Sequence, residues 1–365
     1  MYLITTQCFP PDRGGIEALM GGLADALHAR GAEVSVFADR IHARDAAERA
    51  WPYPVQRFGG LKPLRRWLKA RAVAAAVRAN KVEGIFADSW KSAELLPSLR
   101  APLAILVHGT EIPVQPSTSK RRRIERTLAR ARSVIVNSAH TAEAVKPYLA
   151  DGAARLRVVH PPIAPQIEPS EAALSRARTL VHSRAPVLLT IARLEERKGV
   201  DMVIRALPKV IEAHPNAVYV VAGPGDDRAR LEQLARELGV GERVLFAGPV
   251  DGEAKAALYA IADAFVMPAR RVGNSIESYG IVYVEAGWYG VPSIAGRDGG
   301  AVDAVLDENT GLIVDGASAS DIERQVLRLL GDKDLHRRLS DGAKQRARGV
   351  SQWSETIGLY LKALT

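Results

Sequence analysis

Cysteine is nearly missing from this chain of 365 residues: Cys8 is the single one. No disulfide framework can form within one chain, and a reducing, cytoplasmic setting is expected. Cys8 ends an apolar run and reads as a small buried residue rather than a nucleophile. Aromatics are scarce too, at 5%. That is too few for the stacking platforms that hold single-stranded nucleic acid, and no nucleic-acid motif is present, so nucleic acid is not an expected partner. No uninterrupted apolar run reaches the ~18 residues of a membrane span. The opening MYLITTQCFPP has no basic leader before an apolar stretch and no cleavage site, which argues against a signal peptide. No His/Cys cluster has metal-ligand spacing. The one D-x-D, Asp332-Lys333-Asp334, lies in a charged helical region and reads as surface. Neither a metal nor a bound cofactor is expected.

Basic charge, by contrast, is plentiful and uneven. The net charge is +9; residues 1–157 hold 25 Lys+Arg and 14 Asp+Glu (25 − 14 = +11), and the remainder holds 25 and 27 (25 − 27 = −2). The N-terminal half therefore faces something anionic. Two segments concentrate the charge, 61–81 (LKPLRRWLKARAVAAAVRANK) and 120–132 (KRRRIERTLARAR). In the first, Leu64, Trp67, Leu68 and Val77 recur at roughly helical spacing among Lys62, Arg65, Arg66, Lys69 and Arg71. That is the make-up of a helix lying on an anionic lipid surface. A core-packed helix with a solvated basic face has the same composition.

Length favours two domains. Short apolar runs alternate with helical stretches throughout. Strands are predicted at 1–6, 33–38, 84–87, 104–107, 133–137 and 156–159, and again at 187–191, 217–222, 244–247, 264–267, 293–295 and 310–314. Such βαβ alternation predicts doubly wound parallel sheets with helices on both faces, in two successive Rossmann-like units. The proline-rich His160–Pro165 opens the seam, placing the domains at about 1–165 and 166–345. Residues 352–364 read as an amphipathic helix with Trp353, Ile357, Tyr360 and Leu361 on one face.

Ligands of open parallel sheets bind in the loops after the strands. After the first strand comes FPPDRGGIE, in which Gly14 and Gly15 let backbone amides approach a ligand just before a helix. It is not G-x-G-x-x-G, so a dinucleotide-dependent dehydrogenase is disfavoured, although Asp39 fits the acid such enzymes carry. After the fourth predicted strand comes His108-Gly109-Thr110-Glu111, whose imidazole can accept and donate hydrogen bonds in a cleft. The first strand of the second half leads to Arg193-Leu194-Glu195-Glu196-Arg197-Lys198-Gly199. There Arg193 and Lys198 flank a loop entering a helix, where a guanidinium and an ammonium neutralise a diphosphate; Asp201 is a candidate cap of that helix. Gly223-Pro224-Gly225 is a weak nucleotide turn. Near Gly248-Pro249-Val250, free backbone groups can read a base. The most informative stretch is NSIESYGIVYVEAGWYG, where Glu277 and Glu285 bracket Ser278, Tyr279, Gly280 and Ile281. A helix starting near Gly280 aims its free N–H groups at an anion, and the carboxylates suit sugar hydroxyls. Each element has a plain structural reading as well: a tight turn, a satisfied histidine, surface charges on a loop, an acid complementing a helix dipole.

Taken in order, Gly14-Gly15, His108-Gly109-Thr110-Glu111, Arg193 with Lys198-Gly199, Gly248 and the E-x7-E element Glu277–Glu285 resemble the retaining glycosyltransferases of the GT-B fold, family 4. The resemblance spans nearly the whole chain and implies two Rossmann-like domains facing each other across a cleft. The first would bind the acceptor and the second the nucleotide-sugar, with a C-terminal helix, here 346–365 with Trp353, crossing back to the first. It implies that Gly14 and Gly15 approach the donor phosphates and that Arg193 and Lys198 hold the diphosphate. It also implies backbone contacts from Ser278, Tyr279, Gly280 and Ile281 to the phosphates, and base reading near Val250. Glu285 would bind the ribose, and Glu277 and His108 would face the sugar. Tyr279 stands where the family often has Phe. The family implies attack from the leaving-group face, with the β-phosphate accepting the proton.

The expected activity is therefore transfer of a hexose to a hydroxyl with retained configuration. The stretch FPPDRGGIE and the insert Pro268–Ser275 resemble mannosyltransferases that use GDP-mannose, with UDP-sugars left open. The basic first half points to a lipid-linked acceptor and to peripheral attachment on the inner face of the cytoplasmic membrane. A non-hydrolysing sugar-nucleotide epimerase and a non-catalytic polyanion-binding module are the competing classes.

Overall fold

The structure, a computed structural model, describes residues 1–11, 14–40, 50–150, 154–349 and 351–365. The chain divides into two compact units, Met1–Ala164 with Gln352–Thr365, and Pro165–Ser351. Among the described residues each unit holds one sheet, and every pairing between its strands is parallel.

The first unit runs β1 (Tyr2–Thr6), α1 (Gly15–Ala29), β2 (Val34–Asp39), β3 (Val55–Phe58) and α2 (Lys62–Ala79). It continues with β4 (Gly84–Ala87), α3 (Trp90–Ala93), β5 (Leu103–Val107), α4 (Thr118–Leu128), β6 (Ser133–Val136), α5 (Ala139–Val145) and β7 (Leu156–Val158). The sheet order is β3-β2-β1-β4-β5-β6-β7. Inner strands such as GIFA, LAILV and SVIV are buried along their whole length, because helices cover both faces of a parallel sheet. Alternation still sorts the two faces. Leu3, Ile85, Ile105 and Val134 fill one layer; Ile4, Phe86, Ala104 and Ile135 fill the other.

The second unit runs α6 (Glu171–Leu180), β8 (Val187–Ile191), α7 (Val200–Ala213), β9 (Val218–Ala222), α8 (Arg228–Glu237), β10 (Val244–Gly248) and α9 (Gly252–Ile261). Then come β11 (Ala264–Met267), α10 (Ile281–Trp288), β12 (Ser293–Gly296), α11 (Ala301–Ala304), β13 (Gly311–Val314), α12 (Ala319–Gly331) and α13 (Lys333–Gly349). Its sheet order is β10-β9-β8-β11-β12-β13. Leu188, Ile204, Leu207, Tyr219, Val266, Ile294 and Leu312 anchor its core. In both sheets the winding reverses beside the first strand, between β1 and β4 and between β8 and β11. Each reversal opens a crevice at the strands' carboxyl ends.

The last helix, α14 (Trp353–Lys362), belongs to the first unit, where Ile357 and Tyr360 join the layer built on Leu23 and Leu27 of α1. Gly22 makes that approach possible: a Cβ there would sit 2.2 Å from the Trp353 indole nitrogen.

Three expectations need correcting. The helix expected over 346–365 is two pieces, because 346–349 finish α13 and α14 begins only after the break at Ser351. Strand β3 was not predicted; it is a short, half-buried edge strand between Pro52 and Pro54 on one side and Gly59-Gly60 on the other. The D-x-D lies on the surface, as expected, where Asp332 Oδ1 accepts from the N–H groups of Asp334 (3.0 Å) and Leu335 (2.9 Å) at the start of α13. Asp201 does not cap α7, as described below.

Candidate active site

The two segments flanking the β8/β11 reversal carry the charged site. After β8 the chain reaches a 3-10 turn, Glu196–Lys198, and enters α7 through Gly199 at φ 75°. A Cβ on Gly199 would lie 2.3 Å from the Pro268 carbonyl oxygen, so only glycine lets this loop press against the segment after β11. That contact brings Lys198 and Glu277 together, both about nine-tenths buried. The Lys198 ammonium pairs closely with Glu277 Oε2, and Arg197 Nη1 reaches the same oxygen at 3.0 Å. Burial alone would raise the Glu277 carboxyl, but the Lys198 and Arg197 charges outweigh it and hold the group below its ordinary value. Glu277 is therefore an anion at neutral pH, facing two cations.

Arg270 fastens these segments. Its guanidinium is bidentate on Asp201 (2.8 and 2.9 Å) and touches Glu196 at 3.3 Å, while its backbone N–H donates to the Arg197 carbonyl at 2.9 Å. Asp201 serves this pair instead of the helix cap, a position held by Gly199.

Helix α10 begins at Ile281, with Gly280 as its left-handed cap. Its first N–H groups have no partner within the helix. Ser278, Tyr279 and Gly280 precede it, and burial pushes the Tyr279 hydroxyl up to about 12. One turn in, Glu285 is buried beneath α9: Lys255 Nζ lies 2.6 Å and the Tyr259 hydroxyl 3.1 Å from its Oε2. Burial, reinforced by the Glu285 charge, raises the Tyr259 hydroxyl well above its ordinary value, so it remains a donor. The two glutamates share one feature. In each, Oε2 takes the protein's charged donors, and Oε1 takes no hydrogen bond from the described residues.

Arg193 stands apart from the Lys198–Glu277 pair. Its side chain is 70% exposed and meets Glu195 Oε1 at 3.3 Å, while Glu195 Oε2 holds Arg197 at 2.8 Å. Arg193 borders a cavity of about 570 Å3 that Gly225, Asp226, Asp227 and Arg230 also line. Val250 follows β10, half-buried, near that strand's carboxyl end. In the first unit, Gly14 and Gly15 cap and open α1. His108 directly follows β5 there, buried, with its backbone N–H donating to Glu111 Oε1 at 2.8 Å. Arg197, Lys255, Tyr259 and Arg270 were not singled out from the sequence as site residues. Arg197 had the clearest signal, lying next to Lys198; the other three reach the site only through tertiary packing.

Two doubly wound parallel-sheet units, each with a crevice at the carboxyl ends of its strands, have the architecture of the GT-B glycosyltransferases. The description "Glycosyltransferase Family 4" matches residues 13–167, and "Glycosyl transferases group 1" matches residues 173–346. The chain belongs to glycosyltransferase family 4 and is a glycosyltransferase. It is 32% identical to the GDP-mannose-dependent alpha-(1-6)-phosphatidylinositol monomannoside mannosyltransferase of Mycobacterium tuberculosis H37Rv, over 96% of this chain and 94% of that one. The protein of the same description from Mycolicibacterium smegmatis is 32% identical over 99% and 97% of the two chains. Among solved structures, Anabaena HepE in complex with UDP superposes with a TM-score of 0.80 at 20% identity, covering 100% of this chain and 99% of that one, which establishes the shared fold.

Proposed function

We propose that the chain transfers mannose from GDP-mannose to a hydroxyl of a phosphoinositide-type glycolipid, with retained configuration. One observation carries the donor half: Glu277 and Glu285, near the start of α10, each keep Oε1 for a hydroxyl donor, beside the Lys198 and Arg197 cations. In this reading Glu285 accepts from the ribose hydroxyls and Glu277 from the transferred sugar. Arg193, Lys198 and the backbone N–H groups near Tyr279, Gly280 and Ile281 hold the diphosphate, and backbone groups near Val250 meet the base. Charge grows on the departing phosphate, so fixed cations there lower the barrier without a bound metal or cofactor. GDP-mannose is favoured by the relatives' described donor and full-length coverage. A UDP-sugar is the second reading, favoured by the UDP complex of HepE.

The test combines binding and product analysis. The melting point of the pure protein should rise more with GDP and GDP-mannose than with UDP or ADP compounds. Mannose should then appear on a phosphatidylinositol mannoside acceptor as the α-anomer in the NMR spectrum. Conversion of the sugar nucleotide without any acceptor would indicate an epimerase, and a β-linked product would remove retention.

The structure also bears on how the chain meets a lipid acceptor. Leu61 (79%), Leu64 (52%), Trp67 (47%) and Leu68 (40%) of the α2 segment are exposed, while Lys69, Ala70, Val73 and Ala74 face the core. Arg71 stacks over the Trp67 ring at 4.7 Å. An exposed apolar strip among arginines and lysines suits the headgroup region of an anionic leaflet. In α4 and the turn after it, fewer charges are available: Arg121 pairs with Glu125, Arg123 with Glu94, and Arg130 with the Pro97 carbonyl. No helix among the described residues is long and apolar enough to cross a membrane. The protein should sediment with anionic vesicles at low salt and be released at high salt. Serine at Leu64 and Trp67 should weaken that binding; no sedimentation at low salt would remove the membrane reading.

A further inference from the structure

Three cations and two carboxylates of the second unit form one alternating chain. Arg193 meets Glu195 Oε1 at 3.3 Å, and Glu195 Oε2 holds Arg197 Nε at 2.8 Å. Arg197 Nη1 reaches Glu277 Oε2 at 3.0 Å, and the Lys198 ammonium closes on that same oxygen. Arg193 and Lys198, the two ends, hold the diphosphate in the reading above; Arg197 lies between them. It is built in rather than loose. Its side chain is 12% exposed, against 70% for Arg193, and its carbonyl accepts from the Arg270 N–H at 2.9 Å. A rigid guanidinium serves two acids from different edges, which a single ammonium on a flexible stem does less well. The backbone of Glu277 is equally fixed. Its carbonyl accepts from the Gly300 N–H at 2.8 Å, and a Cβ on Gly299 would lie 2.2 Å from that oxygen. What the backbone leaves open is the direction of the carboxylate. Arg197 and Lys198 set it, and among the described residues no other side chain pairs with Glu277.

An arriving donor sets two anions against one ammonium, because Lys198 must face the diphosphate and Glu277 at once. With Lys198 as its sole partner, a buried carboxylate beside that diphosphate would take up a proton or turn away. Either change loses the hydrogen bond from the sugar. We infer that Arg197 is the positioning residue that prevents this: it stays on Glu277 Oε2 when Lys198 turns to the diphosphate, so that Oε1 stays aimed at the sugar hydroxyl, and Glu195 keeps Arg197 in place. The inference rests on the transferase reading above and gives the sugar subsite a resident counter-ion. In this arrangement Arg197 acts on the sugar only through Glu277 and leaves the diphosphate to Arg193 and Lys198.

A double-mutant cycle on the full chain tests this. Steady-state transfer from GDP-mannose and calorimetry with GDP are compared for the unaltered chain, Arg197→Gln, Glu277→Gln and the double variant. Arg197→Gln should lower kcat/KM by at least about tenfold, as a misaimed contact implies. Its GDP affinity should change by less than about threefold, which also shows that the variant is folded. The double variant should be as fast as Glu277→Gln alone, within about threefold, because Arg197 then has nothing left to position. Arg197→Lys should recover part of the turnover, since it keeps a charge beside Glu277. Losses that multiply in the double variant would overturn the inference, leaving Arg197 a separate structural role. A GDP affinity that falls as far as turnover does would overturn it too, by putting Arg197 on the diphosphate itself. So would Arg197→Lys turning over as slowly as Arg197→Gln. No transfer by the unaltered chain would sink the transferase reading, whereas transfer with multiplying losses would sink this inference alone.

Discussion

Lys198→Ala should leave a folded protein whose turnover falls by roughly a hundredfold or more, the loss expected when one preorganised charge is removed from a developing anion. Survival of the fold follows from the pairing at Glu277. Arg197 reaches Glu277 Oε2 at 3.0 Å, so the carboxylate keeps one cation when Lys198 is gone. The effect should fall on kcat more than on the donor KM, because the contact strengthens as charge accumulates on the leaving phosphate. A steady-state assay with GDP-mannose, alongside a melting curve, reads both quantities. Near-normal turnover would remove Lys198 from the mechanism. The acid limb of stability gives a second readout. The folded Glu277 carboxyl lies below its ordinary 4.5, so the stability it contributes is present above that value and is lost as pH falls through the folded one. Removing Lys198 lifts the folded value, so the variant should show a smaller stability gain between acid and neutral pH.

The sequence carried the parts of this site that lie within one loop or one helix. Lys198 stands beside Gly199, and Glu277 and Glu285 bracket the start of α10; spacing alone places such residues. The strands were legible because parallel strands covered on both faces are short apolar runs. Strand β3 was not, since VQRF at an edge is half-polar and sits among prolines and glycines that also spell a loop. Which arginine faces Glu277 was equally hidden. Arg193 and Arg197 are one helical turn apart in spacing, but the 3-10 turn directs Arg197 inward and leaves Arg193 in solvent. The partners of Glu285 come from α9, with Tyr259 lying 26 residues earlier, and no local pattern marks them. The apolar strip of α2 was ambiguous for another reason: sequence shows that a helix is amphipathic, and only packing shows that its Leu64–Trp67 face is left uncovered.

A further hidden contact joins Arg270 to Asp201, 69 residues apart and both buried. Arg270→Gln should destabilise the second unit by about 3–5 kcal/mol, because it leaves the Asp201 carboxylate buried without its cation. For a domain of this size each kcal/mol lowers the melting point by roughly 2–4 °C, so a fall of about 6–20 °C is expected. Adding Asp201→Asn should recover much of that loss, since the lone charge disappears with its partner. Turnover should not recover with it. The pair ties the Glu196–Lys198 turn to the segment leading to Glu277, and a neutral amide pair holds that geometry less firmly than a bidentate guanidinium. Stability regained with turnover still depressed identifies Arg270 as a positioning residue for the cations. If turnover returns in step with the melting point, the pair holds only the fold together, and the placement of Lys198 must depend on the Gly199–Pro268 contact alone.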